Sequence, residues 1–246
     1  MNKISIITTC YNREQTIQDT IESVLSQDYP NIEYIIIDGA STDNTLSIIN
    51  KYKYKIKEII SEPDSGMYEA INKGIRLATG DIIGLIHSDD IFYSNNTLSH
   101  IIDRFNKSNA DLIYGNGLFV KFDNPQKIVR NWISGEYNQK KVQRGWLPLH
   151  PTVYLKKETI KEIGLYNEKF KIAADTDFLI RCLLKTKLKI EYIDEYIVKM
   201  RMGGLSTNPN KIKEKWKEDI EIFKNNGLPP YTTLIYKILS KVPQFF

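Results

Sequence analysis

The stretch GLIHSDDIF, residues 84–92, sets Asp89 beside Asp90 where an apolar run, Ile82 to Ile86, turns polar. Adjacent carboxylates at the end of a buried strand repel each other and lose hydration, so something must compensate them. Other polar residues fall at the ends of the other apolar runs: Thr8, Thr9, Tyr11 and Asn12 after the first, Asp38 after the second, Glu62, Asp64 and Ser65 after the third, and Ser88 next to the acid pair. Singly, each has a structural explanation as a turn residue, a helix cap or a solvated loop acid. Gathered at one cleft, the acids oppose folding unless a cation joins them, and a divalent metal meets that need. With no His/Cys cluster of the zinc kind, oxygen ligands point to Mg2+ or Mn2+. Magnesium commonly takes one or two protein carboxylates and completes its shell with water and substrate phosphates, so Asp89 and Asp90 suffice if the substrate carries a diphosphate. Neither G-x-x-x-x-G-K-[ST] nor G-x-G-x-x-G occurs, which argues against a P-loop NTPase or an ordinary dinucleotide enzyme.

The elements that must position these residues alternate regularly. Ile4–Thr9 reads as a buried strand, followed by a helix with Ile17, Ile21, Val24 and Leu25 on one face. Strands are expected at 34–38, 56–61, 81–87 and 111–120, with helices around Leu46–Ile49, Met67–Ala78 and Leu98–Phe105. Parallel strands need helical crossovers, so this half is expected to form an α/β doubly wound, mostly parallel central sheet flanked by helices. Ligands of such sheets bind beyond the carboxyl ends of the strands, which is where the polar residues fall.

The second half is less regular, an α+β arrangement. Residues 121–150 read as loops and short strands, helices are expected at 157–163, 175–185 and 209–225, and strands at 188–193 and 196–202. Trp146 and His150 in RGWLPLHPTVY sit in an expected loop; they suit sugar packing, or equally a core Trp and a satisfied core His. RMGGLS, with Arg201, Gly203, Gly204 and Ser206, is either a loop closing over a diphosphate or a simple turn. Lys73 and Arg76 read as solvated helix surface. In the tail, residues 228–246, Leu234, Ile235, Ile238, Leu239 and Val242 share a helical face beside Lys237 and Lys241; such a helix makes peripheral contact with a membrane surface or docks on its own core.

Bulk properties bound the rest. The 246 residues fit one large α/β domain, and 41% apolar with 26% charged residues is ordinary for a soluble globular protein. A net charge of +4 fits an anionic ligand or membrane surface, and no nucleic-acid partner is expected. Cys10 and Cys182 give neither a disulfide framework nor a zinc knuckle, which makes a reducing cytoplasm, with the tail at the inner face of the cell membrane if it binds there, the simplest setting. The start is too briefly apolar for a signal peptide, and no stretch approaches the roughly 18 apolar residues of a spanning helix.

Five segments, ISIITTCYNRE, IIDGASTDNT, EPDSGMYEAINKGI, IHSDD and AADTDFLIRC, together resemble the inverting family 2 glycosyltransferases of the GT-A, nucleotide-diphospho-sugar-dependent fold, in their bacterial surface-polysaccharide form. The resemblance covers about residues 3–205. It implies that Thr9 and Tyr11 flank a nucleobase, that Asp38 accepts from its N–H edge as expected for uracil, and that Asp64 and Asn72 lie by the same pocket. Ser88, Asp89 and Asp90 match its metal motif, with Asp89 near the ribose and Asp90 on a Mn2+ or Mg2+ ion, although this chain carries His87 where many relatives carry an acid. Asp175 matches the catalytic base and Asp177 is its rival; without the resemblance, Asp175 reads as an acid favoured at a helix start. The expected protein is one domain over 1–227, with 1–120 binding nucleotide and 121–227 carrying acceptor and base, followed by the 228–246 tail. The donor is expected to be a UDP-sugar and the acceptor a glycan or lipid-linked saccharide. The rivals are a sugar-phosphate nucleotidyltransferase, whose glycine-rich first loop is lacking in TTCYNRE, and a non-catalytic nucleotide-binding or signalling module.

Overall fold

Ile-rich runs make the first two strands, since β-branched side chains pack well on a pleated surface: β1 is Ile4–Cys10 and β2 is Ile32–Asp38. The computed structural model describes residues 2–185, 187–203 and 211–240. Between and after these strands come α1 Ile17–Leu25, α2 Thr45–Asn50, β3 Glu58–Ser61, α3 Met67–Leu77, β4 Ile82–Leu85, β5 Ile91–Phe92 and α4 Thr97–Ser108. The second half adds β6 Leu112–Val120, β7 Ile128–Trp132, α5 Gln139–Gln143, β8 Tyr154–Lys156, α6 Lys157–Ile163, α7 Ala174–Ile180, β9 Ile190–Arg201, α8 Ile212–Asn225 and α9 Pro230–Leu239.

The strands form one sheet in the order β3-β2-β1-β4-β8-β6-β9-β5, with β7 on β6. β3, β2, β1 and β4 are parallel, as the alternation predicts, and so are β6 and β9. Antiparallel pairs enter through β8, β7 and β5. Side chains two apart share a sheet face. Ile7, Ile35 and Ile37 pack with Ile71 and Ile75 of α3, whereas Ile4, Ile6 and Ile36 pack with Ile17, Ile21 and Ile101 on the other side. The small residue in the α3 stripe lets helix and strand close up, since a Cβ at Gly74 would lie 2.4 Å from Cγ2 of Ile7.

The structure departs from the sequence expectations in several places. The two late strands are one, β9, because Asp194 and Glu195 do not break it. Asn116 Nδ2 donates to Asp194 Oδ1 at 2.9 Å where the β6–β9 register shifts, and the two acids are absorbed as an irregularity. The helix expected over 175–185 is α-helical only to Ile180, and Arg181–Lys185 forms a π turn. α5 lies where loops and strands were expected; its start is marked by Asn138, whose side chain accepts from the Lys140 and Lys141 N–H groups. α8 begins at Ile212, and Pro209 lies outside the described residues. α9 is docked on the body, and Lys237, read as flanking the apolar face, points inward; Lys241 and Val242 lie outside the described residues. Cys10 and Cys182 are both free and buried.

Candidate active site

A cavity of about 940 Å³ opens beyond the carboxyl ends of β1 and β4, within the size range of small-molecule sites. Thr9, Tyr11, Asp64, Ser88, Asp89, Asp90, Trp146, His150 and Asp175 all line it. Nine residues singled out in the sequence thus line one space.

The acid-bearing turn is fixed through its backbone. Thr16, just before α1, and Thr20 of α1 donate to the carbonyls of Ser88 and Asp90 at 2.8 and 2.7 Å, and Arg201 Nη1 donates to the Asp89 carbonyl at 3.0 Å. Arg201 also pairs with Asp19, so the end of β9 ties the turn to α1. Asp90 is buried; its Oδ1 accepts from the Arg201 N–H at 3.3 Å, and its Oδ2 has no hydrogen-bond partner among the described residues. Burial first, and the neighbouring Asp89 second, push its carboxyl well above the ordinary range. A buried acid with an orphaned oxygen beside a second carboxylate suits a divalent cation. Among the described residues no group of three or more His, Cys, Asp or Glu side chains is placed to hold a metal ion, so an ion on Asp89 and Asp90 would need water and phosphate to complete its shell.

Across the cavity, Asp175 sits in the first turn of α7 with its carboxylate partly exposed. Oδ1 accepts from the Thr176 N–H at 2.8 Å and from the Tyr68 hydroxyl at 3.4 Å. Burial acts to raise its pKa, but Lys215, His150 and Lys237 outweigh it, and the carboxyl lies below its usual range. Asp175 is therefore ionised at neutral pH and able to take a proton. Asp177 is turned away: it is buried, pairs with Arg181 Nε at 2.9 Å and does not line the cavity.

His87 and His150 stack at 5.9 Å, and His150 Nε2 shares a 2.7 Å hydrogen bond with the Tyr166 hydroxyl. Burial lowers both, His150 to about 4, so both rings are neutral at pH 7. Asp64 accepts from the Gly66 N–H at 2.9 Å, and burial raises its carboxyl. The indole N–H of Trp146 donates to the Ser134 carbonyl at 3.1 Å, which fixes the ring in the cavity wall.

Five predicted residues do not reach the cavity lining. Thr8 is fully buried against the Tyr34 hydroxyl at 3.1 Å. Asp38 is fully buried beneath the site; Oδ2 accepts from the Ser41 N–H and the Ser61 hydroxyl at 3.0 and 2.7 Å, so its carboxylate holds the loop after β2. Asn12, at φ 52°, accepts from the Thr42 N–H at 2.9 Å and locks the loop after β2. Asn72 bridges α3 to the 166–168 segment, donating to the Tyr166 carbonyl at 2.9 Å and to Glu168 at 2.7 Å. Gly203 is exposed, at φ 109°, and does not line the cavity; Gly204 and Ser206 lie outside the described residues. Residues the sequence reading missed include Tyr68, Lys215 and Lys237, together with Arg130, whose guanidinium lies 5.0 and 4.9 Å from the Phe119 and Trp132 rings. SGMYEA at a helix start is a signal for Tyr68; the lysines belong to no motif.

The site is thus an acid pair beyond β4 and an ionised carboxylate at the start of α7, lining one cavity of an α/β sheet. Residues 5–164 match Glycosyl transferase family 2, and the chain belongs to that family. An uncharacterized glycosyltransferase of Haemophilus influenzae is 32% identical over 250 residues, spanning 97% of this chain and 95% of the relative. Among solved structures, S. aureus TarS 1-349 in complex with UDP-GlcNAc is similar with a TM-score of 0.70 at 20% identity, covering 99% of this chain and 78% of that one. The chain spans 43% of the longer S. aureus TarS chain that it also matches. The mannosyltransferase PcManGT of Pyrobaculum calidifontis, in complex with GDP-Man and Mn2+, gives a TM-score of 0.69 at 16% identity, over 99% and 71% of the two chains. These structural likenesses establish the GT-A type of fold.

Proposed function

We propose that this glycosyltransferase moves a hexosyl or N-acetylhexosaminyl group from a nucleotide-diphosphate donor, foremost a UDP-sugar, to a hydroxyl of a glycan or lipid-linked saccharide, with inversion and with a divalent cation, in cell-surface polysaccharide assembly. The observation that carries this reading is the single cavity in which the Asp89–Asp90 turn faces Asp175, brought there from elements far apart in sequence. The UDP-GlcNAc and GDP-Man complexes of the structural neighbours support a nucleotide-sugar donor, and the Mn2+ in one of them supports the cation.

Asp89 and Asp90 would hold Mn2+ or Mg2+, which when bound stabilises the negative charge developing on a leaving diphosphate. Thr9, Tyr11 and Asp64 would surround the nucleoside, and Ser88 the phosphate side. Asp175 accepts the proton of the attacking hydroxyl, a task that needs an ionised carboxylate within reach of the cavity. The Tyr68 hydroxyl and the Thr176 N–H orient that carboxylate. Trp146 and His150 shape the wall on the sugar side. One in-line displacement inverts the anomeric carbon. The test is NMR of the product made from a UDP-sugar with defined anomeric configuration and a saccharide acceptor, with Mn2+ and with EDTA. Inverted product in the Mn2+ arm alone is expected; retained configuration, or equal turnover in EDTA, would overturn the reading.

A further inference from the structure

The last helix, α9, is packed with its polar side inward. Lys237 is 7% exposed and, with Thr233 and Leu234, forms the buried face. Its Nζ lies 2.7 Å from Asp219 Oδ1 and 2.9 Å from Thr176 Oγ1. Outward stand Tyr231, at 69% exposure, Ile235, Tyr236, Ile238 and Leu239, at 56%. At 100° per residue Tyr231, Ile235, Ile238 and Leu239 fall on one stripe, so the exposed side of the helix is its apolar side. A helix that serves only its own core shows the reverse, and a continuous exposed apolar face marks an interaction surface. On α8, packed against α9, Ile212 and Trp216 are also exposed, as are Lys213, Lys217 and Lys224. Lys215 of α8, Lys237 of α9 and Ser240 just after it line the active-site cavity, so α9 stands between that cavity and its own outward apolar stripe.

We infer that the outer face of α9 seats on an anionic bilayer surface, lying in the interface with the cavity-lining face of the same helix turned toward the body. The occupant follows from chemistry. Exposed lysines beside an apolar stripe match anionic headgroups around acyl chains, and tyrosines suit the boundary between them. A ten-residue helix is too short to cross, and among the described residues no helix is long and apolar enough to do so. A second copy fits less well, because an isologous pairing of this face would bring its lysines toward each other. The inference extends the proposed function by placing the acceptor at a membrane, and it stands apart from the donor and metal assignments.

The test is flotation of the full chain with vesicles of phosphatidylcholine alone or with one part in four phosphatidylglycerol, with sedimentation velocity in parallel. The expected result is flotation with the anionic vesicles, declining as salt rises, and a monomer in solution. Ile235→Glu with Leu239→Glu should reduce the floated fraction at least tenfold, and Lys213→Glu with Lys217→Glu should remove the preference for anionic lipid; both pairs are exposed, and circular dichroism checks that each variant is folded. Failure of the parent chain to float, flotation untouched by the glutamates, or a dimer that the glutamates dissociate would each overturn it. Flotation reads the bilayer contact whether or not the donor is a UDP-sugar, so its failure is separable from failure of the proposed chemistry.

Discussion

Replacing Lys237 with methionine probes the link between the C-terminal helix and the site. The lysine and Asp219 are both buried, 2.7 Å apart, and the ammonium also meets the Thr176 hydroxyl next to Asp175. Methionine keeps much of the apolar stem but leaves the Asp219 carboxylate uncompensated, and removing one partner of a buried pair costs roughly 3–5 kcal/mol. For a chain of this size each kcal/mol moves the midpoint by roughly 2–4 °C, so melting should fall by about 6–20 °C. The variant also removes one cation holding the Asp175 carboxyl down, so the acid limb of turnover should move to higher pH. Replacing both partners, Lys237→Met with Asp219→Leu, should recover most of the stability, because neither charge is then left buried. The assay is a double-mutant cycle by thermal and urea melts, with pH–rate profiles for the folded variants. A single-variant loss below about 1 kcal/mol, or a double variant as weak as the sum of the singles, would refute the reasoning.

Asp175→Asn should keep donor binding and lower kcat by about 10²- to 10⁴-fold, the usual contribution of general-base catalysis, whereas Asp177→Asn should lower the melting temperature and spare turnover; transfer kinetics with calorimetric donor binding separate the two. Glu33 is buried, and although burial acts to raise its carboxyl, hydrogen bonds from Lys3, Ser5 and Thr79 bring it down from the ordinary 4.5 to about 2. The folded value is the lower one, so this group contributes stability above pH 4.5 that is lost as pH falls toward 2, about 3 kcal/mol in full. Urea melts from pH 6 to 2 should therefore show a shallower acid decline in Glu33→Gln, and an unchanged slope would contradict the assignment.

The first half of the fold was legible because its signal is local: each apolar run is a strand, each 3.6-residue stripe a helix, and each polar break a strand end. Strand ends identify the edge of the sheet but not which side chains emerge from it. Thr8 shares parity with Ile4 and Ile6, so it points into the core with them, and Asp38 shares parity with Tyr34 and Ile36 and is buried likewise. Closer attention to parity finds both. Asn72 occupies the buried stripe of α3 and is satisfied by a segment some 94 residues on, which no local pattern reports. Lys237 looked like the polar flank of an amphipathic tail because its buried partner, Asp219, lies on another helix. The acid turn and Asp175 could be singled out as cavity residues because a strand end and a helix start are written in short segments. The basic and aromatic wall of Arg130, Trp132 and Lys215 was not, since it is assembled from elements with no shared motif.

The central claim is that a cation is shared between the Asp89–Asp90 turn and the diphosphate of the donor. Titration calorimetry of UDP against the protein, in Mn2+ and in EDTA, tests it most directly when repeated with Asp90→Asn. The account predicts binding that is strong in Mn2+, weak in EDTA, and insensitive to Mn2+ in the variant. Equal affinity in the two buffers, or an unaltered Mn2+ dependence in Asp90→Asn, would contradict it.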